Sequence, residues 1–148
     1  MQRKPRLRVF LDSNVIFSGL YSSSGAPGAI LEHFVEGRLE VVISQQVLEE
    51  VVRTVKEKLP EVLPTLRRLL TSAPPEVRKN PPPEEVTRWA GLMNTEDAAI
   101  LAAAAAAQPA YLITGDKHFL GSPGISQKSG LHIVSPAQFL ERFMEGVF

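Results

Sequence analysis

Only three of the sixteen acidic residues in this chain are aspartates, and their positions are its most chemically telling feature. Asp12 ends the apolar run Val9-Phe10-Leu11, and Asp116 follows Tyr111-Leu112-Ile113-Thr114-Gly115. Asp97 opens an alanine-rich stretch, Asp97-Ala98-Ala99-Ile100-Leu101. Every other acidic side chain is a glutamate. An Asp carboxylate is held closer to the backbone than that of Glu, which suits a hard cation demanding near-ideal octahedral oxygen geometry. Together the three read as a metal-binding carboxylate cluster assembled from distant parts of the chain.

Each aspartate also has a plainer explanation. Asp12-Ser13-Asn14 could be a turn or a helix cap after a strand. Asp97 could simply complement the positive end of a helix macrodipole, and Gly115-Asp116 could be a polar turn. None of these explains why Asp is confined to three topologically matching places.

The elements that must position these residues follow from apolar periodicity and breaker residues. A buried strand is predicted over 9–12, a Ser/Gly loop over 18–25, and a helix from Pro27 to about Glu36, stopped by Gly37. A second strand covers 39–43, and Ser44 caps a helix whose Val47, Leu48, Val51, Val52 and Val55 share one face. A further helix covers about 60–70, a proline-rich internal loop 74–83, and another helix 84–92. The alanine-rich helix runs over 95–107 and is closed by Pro109. Strands follow over 110–114 and 131–134, and Ser135-Pro136 opens a last helix to about Glu145. Strand and helix alternate, with connections too long for hairpins. The expected fold class is therefore α/β: three layers, α/β/α, around a central, mostly parallel sheet of four to five strands.

In such a sheet, sites form beyond the carboxyl ends of the strands, near a switch in strand order. Asp12 and Asp116 both follow strands and so belong on one edge. Asp97 shares its helix face with Ile100, Leu101, Ala104 and Ala105. It joins the other two if that helix points its N-terminus back at the same edge.

Size and composition bound the rest. At 148 residues the chain is expected to form a single domain over 1–148, with 1–7 a basic, flexible N-terminal segment. No apolar run approaches the roughly 20 residues of a membrane span, and none resembles a signal peptide, so a cytoplasmic location without a membrane partner is expected. The absence of cysteine excludes disulfides and thiolate metal sites. The zero formal net charge counts against a simple nucleic-acid-coating protein. His33, His118 and His132 share no metal-ligand spacing.

Four segments, taken in order, resemble the PIN-domain family, metal-dependent ribonucleases related in fold to flap endonucleases. They are Phe10-Leu11-Asp12-Ser13-Asn14-Val15, Ser44-Gln45-Gln46-Val47-Leu48-Glu49-Glu50, Asp97-Ala98-Ala99-Ile100-Leu101 and Ile113-Thr114-Gly115-Asp116-Lys117-His118-Phe119. Within the family the sequence looks most like the stand-alone toxin component of toxin–antitoxin pairs. The resemblance implies a further acid six residues after a serine, here Glu50, although helical periodicity does not choose between Glu49 and Glu50. Ser13 stands where the family more often has Thr, and His118 where many relatives carry another acid.

What the resemblance implies for function is endonucleolytic cleavage of RNA, leaving a 3′-hydroxyl and a 5′-phosphate. Asp12, Asp97 and Asp116 would be direct or near-direct ligands of one or two Mg²⁺ or Mn²⁺ ions. Glu50 would bind through water or help hold a second ion, and Ser13, Asn14 and Thr114 would orient ligands and water. The implied partners are RNA, a cognate antitoxin protein and a second copy in a homodimer. An acid cluster repels a phosphate backbone, so basic groups must surround it. The candidates are Arg3, Lys4, Arg6, Arg8, Arg67, Arg68, Arg78, Lys79 and Lys117, with Lys117 favoured for lying beside Asp116. Most of these read equally well as solvated surface charges. Tyr21 could stack on a base, while Trp89, with Val86 and Met93 at helical spacing, reads as core or an interface anchor. Two other functions compete. One is a catalytically silent PIN-like module that binds RNA or protein. The other is an aspartyl-phosphate phosphohydrolase with Asp12 as nucleophile, which generally wants an Asp where Asn14 stands.

Overall fold

In the computed structural model, which describes residues 6–146, all the strands run in one direction. They are β1 (Leu7–Leu11), β2 (Leu39–Ser44), β3 (Glu76–Arg78), β4 (Tyr111–Ile113) and β5 (Ile133–Val134), and they form one sheet in the order β3-β2-β1-β4-β5. Val9, Phe10 and Leu11 of the central strand are fully buried. Such a continuous apolar run is what a parallel strand covered on both faces requires. Phe10 pairs with Val42 on one side and Leu112 on the other, and Leu11 pairs with Ile113. The chain first builds outward from β1 through β2 to β3, then returns to β1's other side with β4 and β5. The strand order therefore switches between β1 and β4.

Helices flank this sheet: α1 (Ser13–Tyr21), α2 (Ala26–Val35), α3 (Gln45–Lys58), α4 (Leu63–Ser72), α5 (Pro83–Thr87), α6 (Thr95–Ala107), α7 (Lys117–Leu120), α8 (Pro123–Ser129) and α9 (Pro136–Glu145), with a 3₁₀ turn at Pro60–Val62 before α4. In α6, five alanines (Ala98, Ala102, Ala103, Ala104 and Ala107) are buried alongside Ile100 and Leu101, and the helix packs on β2. Alanine gives strong helix propensity and lets the helix axis approach the sheet closely. In α3, Val47, Val51 and Val55 are buried, and the Ser44 hydroxyl accepts from the Val47 N–H as its N-cap. No helix among the described residues is long and apolar enough to cross a membrane.

Several sequence expectations need correction. The Ser/Gly loop does not begin at Ser18, because α1 continues to Tyr21. Gly19 is buried, and a Cβ there would lie 2.6 Å from Leu31 Cδ1. That glycine serves close packing of α1 on α2, not a chain break. The proline-rich stretch is not all loop: Glu76–Arg78 pairs with Val42–Ser44 as an edge strand, the position that flanking prolines allow. The helix expected over 84–92 ends at Thr87, and turns follow it. The short helices α7 and α8 fall where no helix was expected. Leu7 already pairs with Leu39, so it does not belong to a flexible segment, and residues 1–5 lie outside the described residues.

Candidate functional site

Asp12 leaves the central strand at the switch point, and its own N–H still donates to Ile113 O across to β4, at 3.0 Å. Its side chain caps α1 by accepting from the Ser13 N–H at 2.8 Å. The other oxygen accepts from Thr114 Oγ1 at 2.8 Å and from Asn14 Nδ2 at 3.2 Å. With 3% exposure, this carboxylate is set into the floor of the sheet edge. Burial pushes its pKa above the ordinary Asp value; hydrogen bonds from Thr114 and Ser13 oppose this, and the charges of Glu50 and Asp116 add to the rise. Desolvation, more than mutual repulsion within the cluster, is the leading cause.

Thr114 and Asn14 tie the diverging strand ends together. The fully buried Thr114 hydroxyl donates to Asp12 and accepts from the Asp116 N–H at 3.0 Å. Asn14 Oδ1 accepts from the Gly115 N–H at 3.0 Å while its amide donates to Asp12. Ser13 works outward, donating from Oγ to Glu50 Oε2 at 2.8 Å. Glu50 Oε1 also accepts from Gln46 Nε2 at 3.1 Å, one turn earlier in α3. Of the two glutamates, Glu50 lines the cleft and Glu49 is exposed.

Asp97 lies in the first turn of α6, in a reciprocal cap with Asn94. The Asp97 N–H donates to Asn94 Oδ1 at 2.8 Å, and Asn94 Nδ2 donates back to Asp97 Oδ2 at 3.1 Å. Asp116 caps α7, its Oδ1 accepting from the His118 N–H at 2.8 Å. The plain and the chemical readings thus coexist in these residues. Asp97 Oδ1 and Asp116 Oδ2 keep no hydrogen-bond partner among the described residues.

The structure brings Asp12, Glu50, Asp97 and Asp116 together around one cleft of about 220 Å³, with Ser13, Asn14, Arg53, Thr54, Glu96 and Ile100 completing the lining. Among the described residues, the tight group of potential ligands is Asp97, Asp116 and His118, whose ligand atoms all lie within 4.8 Å of one another. A donor set of carboxylate oxygens with one imidazole nitrogen, two of those oxygens unbonded, fits a hard or borderline divalent ion. A larger groove of about 530 Å³ runs beside α1, α2 and α4, but it contains none of the four acids.

Sequence reasoning missed His118, Arg53 and Asn94. Arg53 had a readable signal, lying three residues after Glu50 on one helix, and Asn94 stands three before Asp97 as N-caps do. His118 had a signal in its position, where many relatives carry another acid, but none in its spacing from the other histidines.

The basic candidates divide sharply. Arg8 is the second residue of β1, at the far edge, where Nε donates to Ala107 O at 2.9 Å and the guanidinium pairs with Glu40 at 2.8 Å and Glu76 at 3.0 Å. These contacts raise its pKa and leave it no role near the acids. Arg6 is exposed beside it, and Arg3 and Lys4 lie outside the described residues. Arg67 and Arg68 are exposed on α4, and Arg68 lines the larger groove instead. Arg78 pairs in register with Ser44 on the acid edge, with Lys79 next to it, although Arg78 also approaches Glu76 at 3.6 Å. Lys117 is exposed at the start of α7, and Tyr21 is exposed at the end of α1. Trp89 is 4% exposed, with the Arg88 and Lys128 cations 5.9 and 5.7 Å from its ring centre.

Comparison with known proteins places this geometry. Among the solved structures that share the fold are three at 18% identity each. VapBC2 from Rickettsia felis, crystallised bound to a DNA fragment from its promoter, gives a TM-score of 0.63 over 87% of this chain and 98% of that one. PAE2754 from Pyrobaculum aerophilum gives 0.65 over 94% and 90%. FitAcB from Neisseria gonorrhoeae gives 0.58 over 86% and 97%. Comparison with curated protein sequences finds no match. The sequence model of the PIN domain matches residues 8–118, a span that holds the switch point and all four clustered acids. This chain belongs to the PIN domain family.

Proposed function

We propose that this protein is a divalent-metal-dependent endoribonuclease, the toxin of a toxin–antitoxin pair. The observation that carries the reading is the cleft at the switch point, where four carboxylates from four separate segments converge. Like charges gathered in one place oppose folding unless a cation offsets them, and no described cation pairs with Asp12 or Glu50.

Asp97 and Asp116 would hold Mg²⁺ or Mn²⁺, with Asp12 and Glu50 completing the acidic shell or holding a second ion. When bound, such ions lower the pKa of water and neutralise charge developing on phosphate oxygens. The chain's own residues do the positioning. Thr114, Ser13 and Asn14 fix the Asp12 carboxylate from three sides, so its orientation does not depend on substrate. Arg53 at the cleft wall and Lys117 beside Asp116 offset the repulsion between the acids and an incoming phosphate chain. By the family resemblance, the products are a 3′-hydroxyl and a 5′-phosphate.

A cognate antitoxin is the expected protein partner, supported by the sequence likeness to toxin components and by the fold shared with VapBC2. A single domain, a cytoplasmic location and a homodimer belong to the same reading.

Cleavage of a fluorescent single-stranded RNA tests it. Wild type should cut in Mn²⁺ or Mg²⁺ and stop in EDTA, and Asp97→Asn should lose more than the roughly 10–100-fold that outer-shell changes cost. Cutting that survives both EDTA and Asp97→Asn would refute the reading.

A further inference from the structure

We propose that His118 is a direct ligand of the ion held by Asp97 and Asp116, and that its imidazole turns the site toward Mn²⁺ and related transition ions, away from Mg²⁺. The inference rests on the metal-site reading above and specifies the ion that the reading leaves open.

The geometry is local and specific. His118 is the second residue of α7, and its main-chain N–H is bonded to Asp116 Oδ1 at 2.8 Å. The root of the ring is thus fixed to the very carboxylate that the ring faces. Its Nδ1 lies 3.2 Å from Asp97 Oδ2 and 3.6 Å from Asp116 Oδ1. Two donors each about 2.1 Å from an octahedral ion lie about 3.0 Å apart when adjacent. The observed separations are close to those of neighbours in one coordination shell. A carboxylate only accepts, so without an ion Nδ1–H donates to Asp97 Oδ2; the side chain is 70% exposed, so an ion can take Nδ1 while the proton sits on the remaining ring nitrogen in water.

The consequence is chemical. Mg²⁺ takes oxygen ligands and gives up water reluctantly, whereas first-row transition ions accept imidazole nitrogen more readily, least strongly for Mn²⁺ and more strongly along the Irving–Williams order. An acid at position 118 would make the shell all oxygen; histidine introduces one nitrogen. His33 and His132 do not compete for this role. His33 contacts Arg38 and Phe143, and His132 lies against Tyr111. The rival explanation is that His118 only bridges Asp97 and Asp116 as a cation. Replacing it by Asp would then strengthen all divalent ions alike and leave their ratio unchanged.

Pulsed electron paramagnetic resonance of the Mn²⁺-loaded full-length protein reads the ligand directly. Wild type should show ¹⁴N coupling from a coordinated ring nitrogen. The coupling should change to that of ¹⁵N when the protein is grown on ¹⁵N-histidine, a result that needs no variant. His118→Asp and His118→Gln should lose it. In His118→Asp, the calorimetric ratio of Mn²⁺ to Mg²⁺ affinity should fall by about tenfold, the scale on which changes around a metal alter its binding. Mn²⁺ that binds without histidine nitrogen coupling, or an unchanged ratio in His118→Asp, would overturn the assignment of His118 while leaving the metal site standing. A wild-type protein that binds no Mn²⁺ at all would overturn both.

Discussion

The two edges of the sheet handle charge in opposite ways. At the amino edge, Arg8 joins Ala107 O, Glu40 and Glu76 in one network, linking β1 to both β2 and β3. Its opposite charges lie within 3.0 Å and each has a partner. At the carboxyl edge, four carboxylates of like charge share a cleft with Arg53 at its wall, and two of their oxygens carry no hydrogen bond among the described residues. One edge is arranged to hold strands together; the other tolerates repulsion to keep ligand atoms available. Departures from local stability of the second kind mark functional sites.

Breaking the carboxyl edge should give the largest effect, and in an unusual direction. Asp97→Asn, expected to lose cleavage, should leave the metal-free protein as stable as wild type or more so, because it removes one of the like charges. It should also shrink the Tm rise that Mn²⁺ produces, since ligand-linked stabilisation depends on affinity for the native state. A clearly less stable metal-free Asp97→Asn with its Mn²⁺ response intact would make Asp97 a helix cap and nothing more.

The edges should also differ in pH dependence. Burial raises the Asp12 pKa, so the native state binds more protons than the unfolded one between the ordinary value of 3.8 and the raised value. Metal-free stability therefore falls as pH rises through that window, and Asp12→Asn should flatten this slope. At the other edge Glu76 is held below the usual carboxylate range, chiefly by its hydrogen bond from Arg8. That contribution is present above pH 4.5 and is lost as pH falls through the lowered value. Denaturation midpoints across acid pH check both. Loss of stability on acidification that Arg8→Ala leaves untouched would remove Glu76 from the account.

Arg8→Ala should cost about 1 kcal/mol at neutral pH, less in high salt, because its glutamate partners are partly exposed to solvent. Cleavage in this variant should be unchanged; a large loss of activity would erase the distinction between the edges. The smallest effect is expected at Lys117. Lys117→Ala should weaken RNA binding and reduce its salt slope by about 0.7, the share of one phosphate contact on a single strand. Metal affinity should barely move. An equal loss of metal affinity would mean that Lys117 supports the acids and does not contact RNA.

Much of this arrangement was legible in the sequence, for identifiable reasons. Apolar runs ending in Asp placed Asp12 and Asp116 on one edge, because parallel strands expose their carboxyl ends together. The alanine stretch signalled a helix lying close to the sheet with Asp97 at its start. Periodicity stopped short of choosing Glu50 over Glu49; that choice depends on the rotation of α3, visible only once Ser13 reaches Glu50. Gly19 looked like a breaker because a sequence does not distinguish a glycine that turns from one that packs. β3 was invisible for a different reason. All three of its residues are exposed, so it has no buried face to leave a pattern, and it is joined to the rest of the sheet by β2 and the distant Arg8. His118 was read as a histidine without spacing partners, since its partners come from the turn that Asp116 caps and from another helix.

The Thr114 hydroxyl, with Asn14 beside it, has a mechanical consequence. Strands that part at a switch point leave a gap that backbone pairing no longer spans, and here two side chains act as pins across it. A pinned gap resists splaying, so the acids above it do not have to be gathered by whatever they bind. The ordering is done during folding, and little of it remains to oppose binding.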